Sequence, residues 1–259
     1  MTTDVNKLPN FNGRPVPWIT RWTGEVQPDR FDYGVQILGD VGKGQFRVTY
    51  QDGKNVRDGK GILWQREGIG RKGEPMYADV STYRQRSAMK KGLCQVCGVK
   101  ITDTPMNFLI PIIAGMEHYD KNTTVTMQAP VCLECVPLAI RMCPALKREG
   151  YQHLKVLAYS LWGVFGQVTY PNATGFDRMQ GAVGFAGDYG DVFNLGHVLA
   201  QQSVVQLEKY VIVDTHHGTQ GPTKTSALHE MFERPSNPIT ELSNELTDTL
   251  IKEARDARR

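Results

Sequence analysis

Four cysteines carry the strongest chemical signal in this chain. They form two CxxC pairs, Cys94-Gln95-Val96-Cys97 and Cys132-Leu133-Glu134-Cys135. Each short turn aims two sulfurs at one point, and two turns complete the shell that a tetrahedral Zn²⁺ site needs. Gly98 follows the first pair directly and suits a tight turn. Iron–sulfur clusters also use four thiolates, but a two-plus-two spacing around a long loop reads first as zinc. A redox CxxC opens a helix after a strand and needs no second pair. A four-sulfur site is closed to substrate, so the expected cofactor is structural Zn²⁺ held by Cys94, Cys97, Cys132 and Cys135, not a catalytic metal.

The remaining chemistry is sparse. His216-His217-Gly218 sits in a polar stretch and reads as a solvated loop. His153, His197 and His229 are isolated in sequence, and no serine or cysteine lies in a GxSxG elbow. Neither glycine cluster, Gly39/Gly42/Gly44 nor Gly68/Gly70/Gly73, continues as a phosphate-binding fingerprint, so both read as turns. Cys143, followed by Pro144, reads as a small buried side chain. No catalytic residue is assigned, and the chain reads as an adapter or regulatory protein, not as an enzyme.

The 259 residues suffice for one large domain or two smaller ones. Composition is ordinary for a soluble protein, no apolar run is long enough to cross a bilayer, and the polar start lacks a signal peptide's apolar middle. Five cysteines, four in metal spacing, fit a reducing compartment, so the expected location is the cytoplasm, with no membrane contact. Net charge is +3, but Lys54 to Lys100 holds eleven bases and four acids, a balance of +7. Such asymmetry points to nucleic acid or an acidic protein as partner.

The elements that must position the cysteines follow from pattern. Residues 1–30 read as an extended arm, with Trp18 and Trp22 pinning it to something. Tyr33–Leu38, Gln45–Tyr50 and Gly61–Arg66 read as strands of an N-terminal antiparallel sheet. Ser81 to Lys91 reads as a basic helix stopped by Gly92. Its bases Arg84, Arg86, Lys90 and Lys91 are candidate phosphate contacts; as a plain surface helix it would rest on Tyr83 and Met89. Between the cysteine pairs, Asn107–Ala114 and Thr123–Met127 read as the strands of a hairpin, and Val136 to Lys147 as a helix with a break at Cys143-Pro144. Further on, Lys155–Tyr159, Gly163–Tyr170 and Tyr210–Val213 read as strands, Gly175–Gly190 as a long loop, Asp191–Lys209 as a helix and His216–Thr225 as a polar loop. Asn237-Pro238 starts a last helix with Ile239, Leu242, Leu246 and Leu250 on one face.

Knuckle, hairpin, knuckle, helix is the order of a treble clef, and the segment resembles an HNH endonuclease scaffold in spacing. Where that family carries Asp-His before Ile-Pro, this chain has Asn107-Phe108-Leu109-Ile110-Pro111, so the general base is missing; His118 is the only histidine between the pairs, and Val136 follows the second. The scaffold resemblance holds and the catalytic one does not.

A second resemblance rests on Gly61-Ile62-Leu63-Trp64-Gln65-Arg66, Tyr83-Arg84-Gln85-Arg86-Ser87-Ala88-Met89, Leu93-Cys94-Gln95-Val96-Cys97-Gly98, Pro130-Val131-Cys132-Leu133-Glu134-Cys135 and Cys143-Pro144-Ala145-Leu146. These stretches resemble a family of zinc-containing proteins from Streptomyces and their phages, and through it the recombination directionality factors that some actinophages encode beside large serine integrases. The match spans residues 61–146, about a third of the chain, and is more specific for the family than for the role. It implies a protein that binds a DNA-bound serine integrase and favours excision over integration. Trp18, Trp22, Trp64 and the helix of Leu242, Leu246 and Leu250 are then candidate contacts. The competing reading is a zinc-ribbon nucleic-acid binder using residues 54–100; a divergent HNH nuclease stands third.

The expected fold is α+β: antiparallel sheets around a treble-clef-like four-cysteine zinc module, with flanking helices. The expected divisions are an N-terminal arm (1–30), a small β region (31–80), the zinc module (81–150), an α+β region (151–235) and a C-terminal helix (236–259).

Overall fold

The structure, a computed structural model, describes residues 8–26, 33–68, 70–112, 124–185 and 195–219. It mixes helix and sheet, as the α+β reading requires. The arm contributes β1 (Asn10–Phe11), β2 (Arg14–Pro15) and β3 (Thr20–Trp22). A two-stranded ribbon follows, β4 (Tyr33–Ile37) with β5 (Phe46–Tyr50), then the short β6 (Leu63–Trp64) and β7 (Pro75–Val80). Helix α1 (Thr82–Lys91) precedes β8 (Met106–Pro111), β9 (Thr124–Thr126), α2 (Val136–Met142) and α3 (Pro144–Glu149). Three long strands close the described chain: β10 (Gly150–Asn172), β11 (Gly175–Gly184) and β12 (Val198–His217).

The centre of the molecule is the antiparallel pair β10–β12, in register from Gly150↔His217 to Val168↔Val198. The first half of β10 takes β8 on its other edge, and the second half takes β11. β12 takes β9 antiparallel and β6 parallel. These pairings cross the sequence divisions at 80/81 and 150/151: β6 and β8 lie in the same sheet as β10 and β12. Among the described residues no helix is long and apolar enough to cross a membrane.

Helix α1 follows its local signals. The Ser81 hydroxyl accepts from the Arg84 N–H at 3.2 Å, and Gly92 ends the helix in the left-handed region at φ +61°. Its inner face differs from the expected one. Tyr83 is exposed, while Arg84, Gln85, Ala88 and Met89 face inward. Gln85, fully buried, clamps the helix to β12. Its Nε2 donates to the Ser203 carbonyl at 2.8 Å and its Oε1 accepts from the Ser203 N–H at 2.7 Å. Ala88 and Met89 pack with Phe108, Leu154, Val156, Val205 and Leu207, one of four hydrophobic cores.

Five expectations are corrected. Asp191–Lys209 does not form a helix: the described part is a short 3-10 turn, Leu195–His197, and then β12. Apolar residues crowd both faces of its first half because that half is covered on both sides, which blurs strand and helix periods. The glycine-rich run from Gly175 is no loop up to Gly184 but β11, joined to β10 through a tight turn at Asn172↔Gly175. His216 and His217 end β12 and do not begin a loop. The two strands between the cysteine pairs form, yet they do not pair with each other. β8 joins β10 and β9 joins β12, because the long strands offer better edges. Gly61–Arg66 likewise contributes only two residues, paired with β12 and not with β4–β5.

The glycines of β10 serve close approach. Gly163 pairs with Gly184 and Gly166 with Gly181, and the β10–β12 register shifts beside Gly163 and Gly166. A Cβ at Gly166 would fall inside contact distance of the Leu199 carbonyl oxygen and 2.9 Å from the Ala200 Cα, both backbone atoms. Gly166→Ala is therefore expected to cost about 1–3 kcal/mol by overpacking, read as a lower midpoint in urea unfolding. Wild-type stability in that variant would mean the strand pair opens at no cost.

Candidate metal centre

The first cysteine pair lies between α1 and β8. The Cys94 N–H donates to the Val99 carbonyl and the Gly98 N–H to the Cys94 carbonyl, both at 2.8 Å, which closes the knuckle. Gly98 takes φ +77°, as its place after the pair required. The second pair forms a 3-10 turn, Leu133–Cys135, that runs directly into α2. Here the Cys135 N–H donates to the Cys132 carbonyl at 3.0 Å. The knuckles meet because the Gln95 N–H donates to the Pro130 carbonyl at 2.9 Å.

The four sulfurs gather as the spacing predicts. All lie within 4.8 Å of one another, and no disulfide joins them. Cys97 Sγ and Cys132 Sγ are 3.8 Å apart. With metal–sulfur bonds of about 2.3 Å, a tetrahedron has an edge of about 3.8 Å, so this pair already stands at two corners. Cys94 and Cys135 are fully buried, and Cys97 and Cys132 are half-buried. Val96, Ile101, Leu109, Val131, Val136, Leu138 and Leu146 wall the group. Cys143 packs against the same wall but stands outside the cluster.

The thiols titrate as a unit. Cys97 is held far below the usual thiol range because it shares hydrogens first with Cys132, then with Cys135 and Cys94. Cys135 is pushed far above that range, with Cys132 the largest cause. Some thiols ionise readily, but four negative sulfurs crowded together in an apolar pocket repel one another. A divalent cation removes that conflict, and binding it releases the remaining protons. The donor set therefore suits a soft-to-borderline metal ion bound at four points.

The arm lies over this centre. The Trp18 N–H donates to the Val96 carbonyl at 2.7 Å and the Ile19 N–H to the Gln95 carbonyl at 3.0 Å. A Cβ on Gly98 would meet the Trp18 ring at 2.6 Å, so the indole rests on the knuckle itself. Trp22 is buried beside Phe11 in an edge-to-face contact. Trp18 thus pins the arm to the knuckle, whereas the Trp22 ring packs on Phe11 of the arm itself and its backbone pairs with β7.

Two buried carboxylates then tie the arm to α1. Glu25 binds both terminal nitrogens of Arg84 at 2.6 Å, and Arg84 also donates to the Thr20 carbonyl at 2.7 Å. Glu67 accepts from Arg21, the Ser81 hydroxyl and the Thr82 and Tyr83 N–H groups, filling the N-terminus of α1 with negative charge. Nothing in the linear sequence marked Glu25 or Glu67, which lie 59 and 15 residues from their partners Arg84 and Thr82.

Four arginines of the basic stretch are engaged by partners within the fold, while its six lysines are exposed. Arg84 is buried and paired; Arg86 lies 3.9 Å over the Trp64 ring and 3.8 Å from Asp58; Arg66 forks onto Asp52; Arg57 donates to the Gly61 and Val48 carbonyls. Lys90 and Lys91 are exposed at the end of α1. Arg84 is thus withdrawn as a surface contact, whereas Lys90 and Lys91 are not. Leu242, Leu246, Leu250, His118 and His229 lie outside the described residues.

His153, isolated in sequence, meets a partner in space: its Nε2 is 2.9 Å from Asn107 Oδ1 across β8–β10. Burial, and then Lys155, hold this imidazole below its ordinary range, so it is neutral at pH 7.

Comparison with protein-family models, with curated proteins and with solved structures finds no match to this chain. Fold and site together define an α+β protein with a four-cysteine cluster close enough to hold a metal ion.

Proposed function

We propose that the metal is structural Zn²⁺, in a module of treble-clef type, and that the chain is a non-enzymatic accessory protein of phage DNA transactions acting in the bacterial cytoplasm. Most concretely, it is a recombination directionality factor that binds a DNA-bound serine integrase and favours attL × attR excision over attP × attB integration. The carrying observation is the setting of the sulfur cluster: a closed four-thiolate shell at the junction of the arm, α1, α2 and the β8–β10 edge. A metal there braces surfaces and leaves no position for substrate. One part of the module supports the treble-clef reading, α2 following the second knuckle without a gap, while β8 and β9 pair with the long strands and not as its hairpin. The partner comes from the resemblance of residues 61–146.

Exposed aliphatic side chains on both faces of β12 support a protein partner over a nucleic acid. Leu157 on β10 and Val211, Ile212 and Val213 on β12 are each at least half exposed. Beyond Leu207 the outer edge of β12 has no strand neighbour among the described residues. Such an edge accepts an added strand or an apolar side-chain row. As a factor, the protein would bind one integrase conformation better than another and so shift their balance.

The test is recombination in vitro, with a serine integrase alone or with this protein, on all four attachment-site pairings. The expected result is stimulated attL × attR and inhibited attP × attB recombination, with a supershift of the integrase–DNA complex and little binding to duplex alone. Unchanged site choice would overturn the proposal. A shift of naked duplex with a steep salt slope would replace it with a nucleic-acid binder, and Mg²⁺- or Mn²⁺-dependent nicking of plasmid would replace it with a nuclease.

A further inference from the structure

A cleft of about 710 Å³ opens between the arm, residues 65–68 and 70–71, and the start of α1. Trp18, Arg71, Tyr83, Arg84 and Arg86 line it, together with Glu25 and Glu67. Its size is that of a small-molecule site. The acids on its wall are already satisfied. Glu25 is taken by both terminal nitrogens of Arg84, and Glu67 by Arg21, Ser81 and two helix N–H groups.

The cations are less well served. Among the described residues Arg71 makes one hydrogen bond, a long one of 3.5 Å to the Trp18 carbonyl. Arg84 is only 9% exposed, and its Nε has no hydrogen-bond partner. A buried guanidinium N–H without an acceptor is costly, and the missing acceptor must come from somewhere. Burial and the neighbouring Arg84 charge both press on the ionised form of Arg71, with burial the larger cause. An anion in the cleft would relieve both strains at once. The aromatic faces of Trp18 and Tyr83 stand beside these charges, so the cleft offers a flat apolar wall next to an anion hole.

We propose that this cleft binds an oxyanion carried on an apolar body, with the anion received by Arg71 and the Arg84 Nε and the body by Trp18 and Tyr83. The anion is a phosphate monoester or a carboxylate, and the shared chemistry is a planar donor fork facing paired oxygens. The site shares Trp18 with the knuckle but contains none of the four sulfurs, and it does not depend on the role proposed for the whole protein.

The experiment titrates the full-length, metal-loaded protein by calorimetry with phenyl phosphate, phenylacetate and benzyl alcohol. One of the two anions is expected to saturate with a Kd below about 1 mM, and the anion that does so identifies the source. The neutral alcohol is expected to bind at least about tenfold more weakly, and Arg71→Leu to weaken the anion by about tenfold or more while Arg71→Lys recovers part of it. Circular dichroism checks that the variants fold. If Arg71→Leu does not, Arg86→Leu, which removes another cation lining the cleft, takes its place with an expected loss of a few-fold. Absence of saturation by both anions, equal binding of the alcohol, or unchanged affinity in the folded variants would overturn the assignment.

Discussion

Stripping the metal is expected to unfold the region around the knuckles, the largest single effect open to test in this protein. Purified protein should carry one zinc per chain by elemental analysis. A strong chelator should remove it and make residues between α1 and β10 rapidly cleavable by protease. Structural zinc contributes about 10–16 kcal/mol in small zinc modules, comparable to the about 5–15 kcal/mol that hold a whole domain together. The apolar wall around the sulfurs, Val96 to Leu146, is assembled from short loops and two short helices. Without a central ion those loops would be asked to bury four clustered sulfurs with no ion to bind them together. Cys97→Ser should behave like chelation, because a hydroxyl is a poor substitute for a thiolate toward a borderline-soft ion. Cys143→Ser should leave the zinc content unchanged, since Cys143 stands outside the cluster. A metal-free preparation with full protease resistance would remove the centre from the account of this fold.

Truncating Arg84 is the second large effect. Arg84→Met would leave Glu25, which is 2% exposed, with its charge buried and its bidentate partner gone. Breaking a buried pair from one side costs about 3–5 kcal/mol, and for a chain of this size that is about 10 °C or more in Tm. The Thr20 carbonyl also loses a donor, so the arm loosens from α1 at the same time. Lys90→Met and Lys91→Met, on the exposed end of the same helix, should each stay within about 0.5 kcal/mol of wild type. The double variant Glu25→Leu/Arg84→Met should recover part of the loss, because removing both charges also removes the unpaired one. If Arg84→Met matched the lysine variants in thermal unfolding, the ion pair would have no structural weight.

The contrast between Arg84 and Lys90 shows where reading the chain stops. In sequence both are bases on one helix. Which base turns inward depends on whether the opposing surface offers a carboxylate, and Glu25 arrives there from another element. The same holds for Gln85, an unremarkable polar residue in the chain that becomes the clamp between α1 and β12. His153 likewise found Asn107 only through the pairing of β8 with β10.

What the amino-acid sequence determined by itself is local. Each CxxC turn aims its own two sulfurs at one point because its hydrogen bonds close within about six residues, Cys94 to Val99 in the first and Cys132 to Cys135 in the second. Ser81 and Gly92 bound α1, and Pro144 breaks α2 from α3, because caps and prolines act on their own backbone. The tertiary structure decided everything that required a partner at a distance. Val198–His217 became a strand because β10 supplied a matching edge, to which Gly166 lets it come close, and β11 could join that sheet because Gly163 leaves room for the Val183 and Gly184 backbone. Strand pairing and charge pairing are energies of two surfaces, and one segment read alone contains only half of each.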